Sequence, residues 1–248
     1  MFGVERTALN GLTFGLAGAV TESRYQSDSS GDEGENKSLQ GFLYGSWNDP
    51  QTAGGWRFGA ALGSGVARFE ADRAIAFAGR TSYSDHDGQM LGTTFQGGYD
   101  WLLDDWIVGA SLGGSWFNLD EEGFQEFGAG SADLVVHSRE TDSFQGFIGG
   151  RLAHPFRWDD LFLEPELRLL WFHEFSRRTG DLNSRLTGGG DYFTTTGRDL
   201  SGDSLVIGTT LKARLSETIF AQFGYDCTLQ SDDGATDHAL SFQLGWRF

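Results

Sequence analysis

Apolar residues alternate with polar or small ones along most of this chain. The last ten residues, Ala239–Phe248, show the pattern plainly: Leu240, Phe242, Leu244, Trp246 and Phe248 fall on one parity, and Ser241, Gln243, Gly245 and Arg247 on the other. Successive side chains of a strand point to opposite faces, so this segment reads as a strand with one apolar and one polar face. About ten segments of this kind recur, separated by turn-rich stretches. In Leu12–Thr21, Leu12, Phe14, Leu16 and Val20 oppose Thr13, Gly15, Ala17 and Ala19. In Trp56–Ala67, Trp56, Phe58, Leu62 and Val66 oppose Arg57, Gly59, Gly63 and Gly65. Gln89–Trp101 and Trp106–Phe117 follow the same rule, Phe144–His154 more weakly. Leu161–Phe175 is the longest, with Leu161, Leu163, Leu167, Leu169, Trp171 and Phe175 against Glu164, Glu166, Arg168 and Glu174. Leu205–Leu215 sets Ile207 and Leu211 against Lys212 and Arg214, and Ile219–Leu229 sets Phe223 and Tyr225 against Gln222 and Asp226. Leu39–Trp47 has apolar residues on both parities, which leaves its outward side open. No segment carries a convincing helical period.

The connections alternate in length. Long ones are expected near 22–37, 70–87, 118–142, 176–203 and 230–238, and short ones at 48–55, 102–105, 155–160 and 216–218. Short turns on one side and long loops on the other are the layout of an outer-membrane barrel, with periplasmic turns and extracellular loops. The expected fold is therefore an all-β, antiparallel transmembrane β-barrel.

Composition supports this. Gly is 37 and aromatics 14%, with Pro only 3; small residues suit a lumen wall, and aromatics suit belts at the two membrane interfaces. Mean hydropathy is −0.33, and no run approaches the ~18 apolar residues of a membrane helix. Alternation hides a barrel from such a scan. The net charge of −17 argues against nucleic acid. Segments 22–35, 120–142 and 230–238 hold thirteen of those seventeen excess negative charges. Solvated loop surface explains them, and contact with divalent cations or lipopolysaccharide is the functional alternative. The single cysteine, Cys227, excludes an internal disulfide framework. The first residues lack the basic and apolar regions of a secretory signal, so a start further upstream, or a domain cut from a longer chain, is expected.

Several short stretches together resemble the translocator β-domain of bacterial autotransporters. They are Arg151-Leu-Ala-His-Pro-Phe-Arg-Trp, Leu163-Glu-Pro-Glu-Leu-Arg-Leu-Leu-Trp-Phe-His-Glu-Phe, Gly197-Arg-Asp-Leu, Asp203-Ser-Leu-Val-Ile-Gly, Leu211-Lys-Ala-Arg-Leu-Ser, Phe223-Gly-Tyr-Asp and Gly245-Trp-Arg-Phe. The first third resembles the family only in strand rhythm. The resemblance implies one domain over residues 1–248, placed in the outer membrane of a Gram-negative bacterium. It would serve type V secretion by anchoring an N-terminal passenger and helping it to the cell surface. Partners so implied are the passenger, the barrel assembly machinery, and outer-membrane lipid with lipopolysaccharide. Leu244, Trp246 and Phe248 match the family's terminal assembly signal position by position. The family barrel has twelve strands, preceded by a helix threaded through the pore. Against it, this chain is expected to lack two strands, the helix and the passenger.

The candidate chemistry is a polar track facing the lumen: Glu164, Glu166, Arg168, Lys212, Arg214, Asp226 and Arg247. Glu164 and Glu166 stand about 7 Å apart along one strand. A charged lumen ladder is the plain reading; a track past which a translocating chain slides is the sharper one. No catalytic, cofactor or metal site is expected. His137, His154 and His173 lack ligand spacing for zinc, and Gly188-Gly-Gly lacks the strand–loop–helix setting of a phosphate cradle. Asp85-His86-Asp87 and Asp237-His238 keep an omptin-like surface protease open as a lesser alternative, since a carboxylate can orient a histidine base. A stand-alone pore is the other alternative.

Overall fold

Period-two alternation leaves a chain one way to bury one face and hydrate the other: extended, with strands side by side. The computed structural model describes residues 1–8, 10–27, 30–49, 54–176, 180–197, 202–231 and 234–246. The strands are β1 (Phe2–Thr7), β2 (Leu12–Gln26), β3 (Glu33–Asn48), β4 (Gly55–Ile75), β5 (Arg80–Leu103), β6 (Trp106–Glu121), β7 (Phe124–Gln125) and β8 (Leu134–Val136). They continue with β9 (Arg139–Ala153), β10 (Phe156–Trp158), β11 (Leu161–Glu174), β12 (Leu182–Leu186), β13 (Phe193–Thr195), β14 (Asp203–Arg214), β15 (Ile219–Gln230) and β16 (Thr236–Trp246).

The main sheet runs β1-β2-β3-β4-β5-β6-β9-β11-β14-β15-β16, every neighbour antiparallel, and curls into a half-barrel. The short β10 extends β9 along β11 after a break at His154-Pro155; proline has no N–H to give the ladder. Eleven strands thus follow one another, one more than the alternation reveals. The extra one is β1, whose six residues are too few to establish a period. Among the described residues no ladder joins β1 to β16, so these two are the edges.

Across the middle of the sheet the outward positions are mostly apolar and exposed: Leu16 is 60% exposed, Leu112 63% and Phe242 72%. Such a face is stable against hydrocarbon, not water. β3 now has its sides assigned. Leu39 and Leu43 are exposed outward, while the Tyr44 hydroxyl reaches Glu5 Oε2 at 3.1 Å on the other face. Trp56, Trp101, Trp106 and Trp246 all lie beside short turns and are exposed, as one aromatic girdle. Two of those turns use the same chemistry. Asp104, between Leu103 and Trp106, has φ 53°, and Asp159, between Trp158 and Leu161, has φ 52°. Aspartate tolerates this left-handed backbone because its carboxylate can bond locally.

The other end corrects the expected loops. Much of 22–37, 70–87, 118–142 and 230–238 is ladder. β4 has 21 residues and β5 has 24, where about 9–11 cross a bilayer. Beyond Val66 and Leu91 the outward side chains become Arg68, Glu70 and Asp72, and Gln89, Asp87 and Asp85. The hairpin therefore continues into water, where polar residues suit both faces.

On that protruding hairpin sits a second, four-stranded sheet, β13-β12-β8-β7. It docks on the side of the hairpin that faces away from lipid. Arg73 Nε donates to Glu126 Oε1 at 2.9 Å, and Arg73 Nη2 donates to the Ala132 carbonyl at 3.0 Å. The Ser82 hydroxyl lies between the carboxylates of Glu126 and Asp133. Arg80 donates to the Ala129 carbonyl, and the hydroxyl of Thr187, directly after β12, donates to the Gly130 carbonyl. His86 is stacked between Phe69 and Phe124, with centroids 5.0 and 4.3 Å away.

Candidate functional site

The inward face of β11 carries Phe162, Glu164, Glu166, Arg168, Leu170 and Phe172, a mixture that only a wetted wall accommodates. The register brings partners to each charge. Lys212 on β14 lies directly opposite Glu164 and donates to Glu164 Oε1 at 2.9 Å and Glu166 Oε2 at 3.3 Å. Arg151 on β9 donates to Glu166 Oε2 at 2.7 Å. It also turns its other edge to Asp100, with Nε to Oδ1 at 3.0 Å and Nη2 to Oδ2 at 2.7 Å. Arg57 on β4 adds a bond to Asp100 Oδ1 at 3.1 Å. On the far side, Arg168 clasps Asp226 of β15 at 2.7 and 2.6 Å and touches Thr210.

One row across six strands organises the belt. In register it reads Asp100 (β5), Gly109 (β6), Arg151 (β9), Arg168 (β11), Gly208 (β14), Asp226 (β15). Arg151 and Arg168 stand directly opposite each other, which alone would be unfavourable. Each is drawn away from the other, over an intervening glycine, to its own aspartate. A Cβ at Gly109 would stand 2.2 Å from Asp100 Oδ1, and one at Gly208 would stand 2.3 Å from Asp226 Oδ1. Only glycine leaves room for the ion pairs to pass over the strand. The belt is balanced: Arg57, Arg151, Arg168 and Lys212 meet Asp100, Glu164, Glu166 and Asp226. The side chains of Asp100 and Glu166 are only 10% exposed. Removing one partner would strand its neighbour, at a cost of about 3–5 kcal/mol.

Of the expected track, Glu164, Glu166, Arg168, Lys212 and Asp226 come together here. Arg214 lies on the same face but outside the belt, its guanidinium 5.2 Å over the Phe162 ring. Arg247 and Phe248 lie outside the described residues. Leu244 and Trp246 are exposed on the outward face of the edge strand β16. Sequence reading missed Arg57, Asp100, Arg151 and the two glycines. The available signal was an isolated charge on the small-residue parity of a membrane strand. The two acid–histidine stretches do not assemble a shared centre. His86 points inward to Glu121 Oε1 at 3.3 Å, while His238 meets the Tyr225 hydroxyl at 2.8 Å on the outward face of β16.

Comparison with known proteins agrees with this architecture. The translocator domain of autotransporter NalP from Neisseria meningitidis superposes with a TM-score of 0.77 at 15% identity, covering 99% of this chain and 79% of that one. The β-domain of the Bordetella autotransporter BrkA superposes with a TM-score of 0.68 at 15% identity, covering 98% and 86%. In sequence, outer membrane protein A of Rickettsia rickettsii is 24% identical over 185 residues, and that of Rickettsia conorii 23%. These matches take in 71% of this chain but only 8% and 9% of the relatives, so the chain spans under a tenth of their length. Residues 1–226 match the family described as the autotransporter beta-domain. With that match and the inward belt of paired charges on a lipid-facing sheet, the chain belongs to the autotransporter β-domain family, the outer-membrane β-barrel translocators.

Proposed function

We propose that this domain exports an N-terminal passenger past the charge-paired belt, which forms the lumen wall. The observation that carries the reading is the belt's balance: four cations and four carboxylates satisfy one another across the strands. A wall of this kind stays hydrated yet offers a passing polypeptide few free charges to bind. Leu244 and Trp246, with Phe248, serve as the signal read by the barrel assembly machinery. The charged protruding strand ends contact lipopolysaccharide. The reading assigns the domain no catalysis of its own, and the pairing of Glu164 and Glu166 with Lys212 and Arg151 supports that.

The test is surface display. A reporter domain fused upstream becomes sensitive to external protease in intact cells when the translocator works. Replacing Phe248 and Trp246 with Ser should lower the amount of assembled barrel. Replacing Arg151 with Glu, which places a third carboxylate beside Asp100 and Glu166, should leave the reporter periplasmic. Display unchanged by both sets of replacements would overturn the reading. A barrel that conducts small solutes while displaying nothing would support the stand-alone pore instead.

A further inference from the structure

The charge balance of the inward wall stops short of the periplasmic turns. There the register sets five residues side by side: Arg157 (β10), Phe162 (β11), Arg214 (β14), Phe220 (β15) and Gly245 (β16). They share the inward face with Glu164 and Lys212, which lie about 7 Å further into the wall. The row alternates guanidinium, ring, guanidinium, ring. The Arg214 guanidinium lies 5.2 Å over the Phe162 ring. The Phe220 ring lies over Gly245, where a Cβ would collide with it.

These two arginines differ from the cations of the belt in having no countercharge. Arg57, Arg151, Arg168 and Lys212 each meet a carboxylate, and so do Arg73 and Arg139 nearer the cell surface. Among the described residues Arg157 and Arg214 meet none, and Asp159, Asp160 and Glu217 of the adjoining turns are exposed and bond to neither. A guanidinium over an aromatic face keeps its charge and its N–H edge. The donors of Arg214 are therefore free for a planar oxyanion, which a guanidinium grips with two parallel bonds. Only β11 separates the two arginines, so their Cα atoms stand about 10 Å apart, twice the spacing between strands. Carboxylates three residues apart on an extended polypeptide span the same distance. The row faces the lumen and not lipid, so its occupant is a chain in water that carries acids beside apolar groups.

We propose that this row is a docking strip for an acidic stretch of the polypeptide entering the lumen. Two aspartates or glutamates three residues apart meet Arg157 and Arg214, and an apolar neighbour meets the exposed Phe220 ring. The proposal rests on the export reading and names the kind of segment that the wall engages first. Exposed ion pairs are weak and exchange readily, so the strip holds a chain at the entrance and releases it to the paired belt beyond.

The test is fluorescence anisotropy of the full chain folded in detergent. The probe is a labelled glycine–serine peptide with one phenylalanine and two aspartates three residues apart, compared with the same peptide carrying asparagine for aspartate. The acidic peptide should bind about twentyfold more tightly, an advantage lost at about 0.5 M salt. Arg157→Gln and Arg214→Gln should each cost about fivefold, the upper range for one exposed ion pair, and the double change should remove the preference. Both side chains are exposed, so the variants should keep the heat-dependent gel shift of a folded barrel. Arg6→Gln removes a cation at the same end of the sheet from the outward face, and should leave the preference intact. Equal binding of the two peptides, a preference that survives the double change, a loss as large with Arg6→Gln as with Arg214→Gln, or displacement by sodium acetate at the same carboxylate concentration would overturn the proposal. Surface display by the unaltered chain of a reporter joined through the asparagine peptide separates the two readings. Display without a peptide preference overturns the strip alone; a peptide preference without display overturns the export reading and not the strip.

Discussion

At the scale of single residues, the decisive contacts belong to Gly109 and Gly208. A methyl group at either position would occupy space now used by an aspartate oxygen and an arginine. Gly109→Ala should separate Arg151 from Asp100 and destabilise the barrel by about 1–3 kcal/mol, the cost of leaving a shielded polar group unmet. The temperature at which the detergent-folded band converts to the unfolded band would measure it. Asp100→Asn should be worse than the double change Asp100→Asn, Arg151→Met, because the single change leaves a shielded guanidinium short of countercharge. These residues mark where sequence reading stops. Parity alone placed Glu164, Glu166, Arg168, Lys212 and Asp226 on one face. The row Asp–Gly–Arg–Arg–Gly–Asp draws one residue from each of six strands scattered between positions 100 and 226, and only the register aligns them.

At the scale of elements, the hairpin β4–β5 and its docked sheet form the part that alternation described least well. Lipid-facing stretches announce themselves because one parity must be apolar. Above the bilayer water touches both faces, so 70–87 and 118–142 lose the signal while keeping the ladder. The dock hangs on Arg73, Glu126, Ser82 and Asp133. Arg73→Ala should expose residues 122–138 to proteinase K at least several-fold faster, while the membrane band stays protected, since local opening follows the loss of its own anchors. Burial works to raise the carboxyl of Asp133, but hydrogen bonds from Ser82 and the backbone of Ala129 and Gly130 outweigh it and hold it below the usual carboxylate range. A depressed value in the folded state adds stability above the unfolded pKa, and that stability is lost as pH falls through the folded one. The docked sheet should therefore stay protease-resistant through mildly acidic pH and loosen only below the ordinary carboxylate range. Earlier loosening, near neutrality, would contradict this assignment.

At the scale of the whole molecule, a lipid-facing sheet with edges at β1 and β16 cannot leave those backbone groups bare in hydrocarbon. The folded chain in detergent should migrate faster unboiled than boiled, as barrels do, and a chain without that shift would not be the membrane form. The −17 net charge belongs to the rim and not to the wall: the segments at the strand ends hold most of it, while the belt sums to zero. Reconstituted channels should accordingly show weak ion selectivity. Arg168→Gln should shift it toward cations by uncovering Asp226, read as a change in reversal potential under a salt gradient.

The balance of the belt has a consequence for motion. One lone wall charge attracts an oppositely charged side chain 4 Å away by about 1 kcal/mol even in water, and more where water is scarce. A row of such charges would be a rough track, with a stopping point for every lysine or glutamate that went by. When each charge is answered by a neighbour under 3.5 Å away, the field fades within a side-chain length and the track is nearly level. Friction then depends little on what sequence is being drawn through. On the export role proposed for the belt, a single wall of this kind would serve cargoes of unrelated composition.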